Sequence, residues 1–496
     1  MNKQIRRLAL ALLVCYLILF VQLNVLQVGR EQSLNGDVRN QRTTERQLSR
    51  PRGPIVTADG VVIAQSVPSQ PGDSIKYQRT YPESQFFSNI TGYYTFAYGA
   101  TQLERSQTDV LMGDTNEQKL RSLTNILGSG DNTGSVRLTL RDDVQKAALF
   151  ALQGHEGSVV VMDPHSGAVL AMVSNPSYDA NQVAVHNTKQ AGDYLAQLNA
   201  DPAKPLLANA YQERYMPGSA FKVLTTSIGL EGGQISLDST FANETQFLPP
   251  QTTDPIGNFA GELCGGTMAV VFYRSCNIPF AQTALAIGAQ AMVDGVKKWG
   301  VGEKLPFDLP GAVASKFGEV SDFTDNLPLL AIGGFGQGDD QMVPLHMAMV
   351  ASTVANGGQM MKPYAISATL DHNGGVLNQT SPSVWKNPML PSTAATLTDL
   401  MIGVVNLGTG RQMQLANGIQ AAAKTGTAQL NGKGQPEKSN AWIIGFAPAD
   451  APKYAIAVIL KGGPNDAISA STGGRLAGPI AKQVLDFMFA NDTPTS

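Results

Sequence analysis

The sequence predicts an α+β protein: an antiparallel five-stranded sheet covered by helices, a small amino-terminal domain ahead of it, and one transmembrane helix. Three observations predict this. Apolar strand-like runs come from both ends of the region after residue 135, with helical patterns between them, so sheet and helices form separate layers. The stretch before residue 135 is polar and broken by turn signals. The first residues carry one long apolar run that has no counterpart later.

That run is Leu8–Val21, and apolar residues continue to Val28 around Gln22, Asn24 and Gln27. Leu8–Val28 approaches the ~20 residues that a spanning helix needs. Lys3, Arg6 and Arg7 precede it, so the positive-inside rule keeps residues 1–7 cytosolic and exports the remainder. No small-x-small cleavage site follows the apolar core, which favours an uncleaved anchor over a signal peptide. Residues 30–134 then read as a non-catalytic pedestal or dimerisation-like domain. They include a hairpin, Ile55-Val-Thr and Val61-Val-Ile-Ala, about Asp59-Gly60. The second domain, residues 135–490, opens with a strand at Val136–Leu140 and a helix at Asp142–Gln153. Its five sheet strands are Ser158–Met162, Ala168–Val173, Ile419–Leu430, Ala441–Phe446 and Tyr454–Leu460, and Gly473–Phe489 is a closing helix.

Composition narrows the function. The chain has 496 residues, 43% of them apolar, which is globular. Its net charge of −3 offers no basic footprint for nucleic acid. There is no G-x-S-x-G elbow and no H-E-x-x-H, and the five histidines are widely spaced, so neither a histidine-based triad nor a metal site is expected, and no cofactor. The Gly333-Gly-Phe-Gly-Gln-Gly338 loop does not fit a phosphate-binding pattern and reads as a close-packed loop.

Three motifs in order carry the chemistry: Ser219-Ala-Phe-Lys222, Ser275-Cys-Asn277 and Lys424-Thr-Gly426. A serine hydroxyl is a weak nucleophile and needs a neighbouring base. Ser219 and Lys222, three apart at a helix start, face the same way. Ser275 and Asn277 can relay a proton and hold an amide, and the strand carrying Lys424, Thr425, Gly426 and Thr427 can grip a carboxylate. A second S-x-x-K, Ser383-Val-Trp-Lys386, has no S-x-N before Lys424 and is flanked by Pro382 and Pro388, which oppose a helix. Cys264 and Cys276 are the cysteines outside the anchor, and an exported compartment favours a bridge between them over two buried thiols.

With these motifs placed, the chain resembles the class B penicillin-binding proteins, most of all the short actinobacterial penicillin-binding protein A group. The resemblance spans nearly the whole chain, through Arg52-Gly-Pro-Ile55, Asp163-Pro164, Pro176-Ser-Tyr-Asp179, Tyr215–Lys222, Ala355-Asn-Gly-Gly358 and Lys424-Thr-Gly-Thr-Ala428. It implies the penicillin-recognising transpeptidase fold and the cross-linking of peptidoglycan stem peptides in cell-wall synthesis and division. Ser219 would be the nucleophile, Lys222 its base and Ser275 the proton relay. Asn277, Lys424, Thr425, Gly426 and Thr427 would hold substrate, with the oxyanion on the backbone N–H groups of Ser219 and Thr427. The resemblance also implies the Cys264–Cys276 disulfide, acylation by β-lactam antibiotics, and a membrane glycosyltransferase partner. A D,D-carboxypeptidase or β-lactamase shares the acylation step, and a mainly scaffolding β-lactam-binding protein shares the binding, so these alternatives stay open on sequence. Two positions depart from the pattern. Val343 replaces a threonine that would cap the helix at Pro344, and Gln102 stands where many relatives have glycine.

Overall fold

The computed structural model describes residues 2–24, 50–73, 75–95, 97–124, 132–431, 438–463 and 466–492. The chain divides into two compact units, Met1–Pro51 with Ser66–Gln78, and Arg52–Gln65 with Arg79–Ser496. The first unit contains the helix Asn2–Asn24. Its stretch Lys3–Leu23, 21 residues, is long and apolar enough to cross a membrane. Residues 25–28 of the expected anchor and 30–49 of the expected pedestal lie outside the described residues.

In the second unit the five expected strands form one antiparallel sheet, ordered Ala422–Gln429, Ser439–Ala447, Tyr454–Leu460, Gly157–Met162, Val169–Asn175. Every residue of Ser439–Ala447 and Tyr454–Leu460 is buried. Two-sided cover explains why these strands are continuously apolar rather than alternating. Alternate side chains feed two cores. Val160, Met162, Trp442, Ile444, Ala457 and Ile459 join the helix Pro344–Ala355 on one face. On the other, Val159, Val161, Ile443, Ile456 and Val458 meet Val144 of the helix Asp142–Ala151 and Leu485 of the closing helix Gly473–Ala490. At about 1.5–3 kcal/mol for each buried aliphatic side chain, these layers fix the sheet and hence the Lys424 strand at its edge.

A second sheet, of shorter strands, holds Ser135–Leu138. That strand runs parallel to Ile55–Val56 and antiparallel to Ile366–Leu370, which forms a hairpin with Val376–Gln379. The hairpin Ile55–Val56 with Val62–Pro68 turns at Gly60, whose φ of 84° suits glycine. Nearby, Glu104 is wholly buried between two guanidiniums, at 2.9 Å from Arg52 Nε and 2.6 Å from Arg79 Nε. Gln102 adopts φ 45°, a left-handed conformation that explains glycine elsewhere, and its Oε1 accepts a hydrogen bond from Tyr211 Oη at 2.9 Å.

Candidate active site

The Ser219 motif sits where the sequence expects a helix start. Gly218–Phe221 makes one 3₁₀ turn and leads directly into the α-helix Lys222–Glu231. Two glycines let this turn touch the Lys424 strand backbone to backbone. A Cβ on Gly218 would lie 2.4 Å from Thr427 O, and one on Gly426 would lie 2.5 Å from Pro217 O. The Gly333–Gly338 loop packs on the same turn, with Gly218 N donating to Gly336 O at 2.9 Å. The second S-x-x-K lies elsewhere: Val384–Lys386 is a strand paired with Met360–Met361, and Lys386 pairs with Glu303 at 2.6 Å.

Ser275 ends the helix Met268–Arg274 in a left-handed conformation, φ 64° and ψ 37°. Cys276 N donates back to Val271 O at 3.0 Å, a helix-ending turn in which glycine is usual. Ser275 takes this backbone at a cost a glycine would not incur, and its hydroxyl lies where two lysines converge. Lys424 Nζ donates to Ser275 Oγ at 2.7 Å and to Thr425 O at 3.1 Å. Lys222 Nζ donates to Ser275 O at 2.8 Å and Asn277 Oδ1 at 2.9 Å, and it lies 3.4 Å from Ser275 Oγ. The adjacent Cys276 is bonded to Cys264, with Cα atoms 5.7 Å apart.

Both lysines are fully buried. Burial, then the charge of Lys424, holds the Lys222 ammonium well below the ordinary lysine range. Burial pushes Lys424 down to about 7. For Lys222 burial is the larger cause, and a motif does not reveal it.

Ser219, Ser275, Asn277, Thr425 and Thr427 line one cleft of about 480 Å³. Thr427 Oγ1 accepts from Gly473 N at 3.2 Å. Of the other lining residues, which no motif announces, three make side-chain hydrogen bonds to neighbours in the site. The Thr409 hydroxyl pairs with that of Thr425 at 2.5 Å. With its amide oriented to satisfy both partners, Gln337 exchanges hydrogen bonds with the Gln429 backbone at 3.0 and 3.1 Å. Asn258 contacts the backbone of Asn277. Their only sequence signal is proximity to glycine-rich turns.

A half-buried serine and a second serine hydroxyl in one cleft, the latter hydrogen-bonded from beneath by two buried lysines of lowered pKa, suit acyl transfer through a serine ester. The chain belongs to the penicillin-binding protein transpeptidase family: the penicillin binding protein transpeptidase domain matches residues 157–486, and the penicillin binding protein A dimerisation domain matches residues 52–136. The chain is similar to peptidoglycan D,D-transpeptidase PbpA of Mycolicibacterium smegmatis, 36% identical and covering 98% of each chain. It is 34% identical to the PbpA of Mycobacterium tuberculosis, over 98% of this chain and 99% of that one. The M. tuberculosis penicillin-binding protein A, solved as a penicillin G acyl-enzyme complex, superposes with a TM-score of 0.82 at 32% identity, covering 89% of this chain and all of that one.

Proposed function

We propose that this protein is a peptidoglycan D,D-transpeptidase. Its amino-terminal helix anchors it in the cell membrane with the catalytic domain outside, and a membrane glycosyltransferase supplies the glycan strands it cross-links. The observation that carries the catalytic reading is the convergence of two buried lysines on Ser275, which lines the same cleft as Ser219.

Ser219 Oγ attacks the carbonyl of the penultimate D-alanine of a donor stem peptide while neutral Lys222 takes its proton. Lys222 is suited to this because burial keeps it neutral where an exposed lysine is charged. The developing oxyanion is held by the backbone N–H groups of Ser219 and Thr427, worth about 3 kcal/mol each. Ser275, bonded to Lys424 and near Lys222, passes the proton to the departing D-alanine nitrogen. Asn277 binds the substrate amide. Lys424, Thr425 and Thr427 bind the terminal carboxylate, and Gly426 keeps the strand close enough to reach it. The amine of a second stem peptide then attacks the ester, forming the cross-link and freeing Ser219. A β-lactam enters by the same attack and leaves an acyl-enzyme.

The full chain in detergent, incubated with a fluorescent penicillin, is expected to label one-to-one, and the Ser219→Ala variant not at all. Labelling that persists in Ser219→Ala overturns the assignment.

A further inference from the structure

The helix Ile278–Ile287 begins directly after Asn277, and its hydrogen-bond accounting is unusual. A helix-capping asparagine normally turns its own side chain back onto the second or third helical N–H. Here the second position is Pro279, which has no N–H, and Phe280 N already donates to Asn277 O at 3.0 Å. Asn277 makes no side-chain cap; its Oδ1 accepts from Lys222 Nζ at 2.9 Å. Two donors remain at the helix entrance, Asn277 N and Ile278 N. Both go to a single atom, Asn258 Oδ1, at 2.8 and 3.2 Å.

Asn258 is itself rigidly held. It is 7% exposed, and its Nδ2 donates to Glu244 O at 2.8 Å and Glu262 O at 3.1 Å. Those carbonyls belong to the segment of short strands that leads to Cys264. Asn277 Nδ2 in turn donates to Gly257 O, next to Asn258, at 3.3 Å.

We infer that Asn258 is a positioning residue for the acyl-transfer site: it caps the Asn277 helix from a separate segment and thereby frees and fixes the Asn277 carboxamide against Lys222. The inference rests on the proposed acylation chemistry. It assigns Asn258 no contact with reacting atoms. It also explains how Asn277 can begin a helix while its side chain is committed elsewhere.

The test compares acylation of the full chain in detergent by a fluorescent penicillin, as a second-order rate constant, with melting of the same samples. Asn258→Ala removes the cap and is expected to slow acylation about fivefold, the equivalent of one lost cap. Asn258→Asp keeps the acceptor and is expected to recover most of that loss, although it gives up both donors. In an Asn277→Ala background, where the held carboxamide is absent, Asn258→Ala should slow acylation less than about twofold further while still lowering the melting temperature. Three results overturn the inference: wild-type acylation by Asn258→Ala, no recovery in a folded Asn258→Asp, or an equal Asn258→Ala penalty in both backgrounds. Should Asn258→Ala not fold, the Asn258→Asp rate decides alone, near wild type in favour and near that of Asn277→Ala against. Labelling of wild type but not Ser219→Ala tests the underlying chemistry separately.

Discussion

At the scale of single residues, the site is governed by what burial does to two amines. A lysine in water is almost wholly charged at neutral pH, and a charged lysine is no base. Lys222, fully buried and beside Lys424, is held well below its ordinary range, whereas Lys424 is lowered to about 7. In the proposed mechanism Lys222 works neutral and Lys424 works charged. The second-order acylation rate should therefore rise with pH as Lys222 loses its proton and fall again as Lys424 loses its own, near 7 for the free enzyme. A rate flat from pH 5 to pH 10 would contradict this, as measured by stopped-flow acylation. Ser275 shows the complementary trade. Its left-handed backbone would suit glycine, so Ser275→Gly should be more stable than Ser275→Ala by about 1 kcal/mol. Both variants should nonetheless lose most acylation activity, because the hydroxyl that bridges the lysines is gone. Denaturant unfolding alongside acylation kinetics separates the two effects.

At the scale of elements, the decisive contact is the backbone approach between the Ser219 turn and the Lys424 strand. Gly426 has no room for a methyl group, since its Cβ would lie 2.5 Å from Pro217 O and 3.0 Å from Ala220 N. Gly426→Ala must push the two elements apart. A displacement of a few tenths of an ångström there should cost about tenfold or more in acylation, and overpacking about 1–3 kcal/mol in stability. Acylation kinetics and urea unfolding measure the two. The helix Pro344–Ala355 shows the opposite balance. Val343 begins it without a side-chain cap, forgoing roughly 1 kcal/mol, but Val343 is wholly buried and regains a comparable amount in apolar area. The strands of the five-stranded sheet were legible because Val159–Val161, Ile443–Ile444 and Ile456–Val458 are apolar on both faces. In the other sheet the hairpin at Gly60 and the strand near Val136 were legible, but their pairing was not. Nothing in Ser135–Leu138 says that its partners are Ile55–Val56 and Ile366–Leu370, because pairing between distant segments is set by tertiary packing rather than by local pattern. The three motifs were legible for the same local reason, whereas Asn258, Thr409 and Gln337 reach the cleft only through the fold.

At the scale of the whole molecule, Ile55, Phe87 and Leu103 share one apolar core with Val160 and Trp442, and a buried ion-pair cluster adds to it within residues 52–136. In that cluster Glu104 is buried between Arg52 and Arg79. Burial raises the Glu104 pKa, but Arg79 and Arg52 outweigh it and hold the carboxyl below the ordinary 4.5. A depressed carboxyl contributes stability above its unfolded value and loses it as pH falls through the folded one. Glu104→Gln removes the carboxylate that pairs with two buried guanidiniums and should cost about 3–5 kcal/mol at pH 7. The gap between wild type and variant should narrow below 4.5, measured by denaturant unfolding across pH. The central claim, that this fold and cleft transfer an acyl group from Ser219 to an amine, is tested most directly by mass spectrometry of the full chain in detergent with a D-alanyl thioester donor, with and without an acceptor amine. The account predicts an acyl adduct on Ser219 and an amide product when the amine is present. Hydrolysed donor alone, at the same rate with or without the amine, would contradict it.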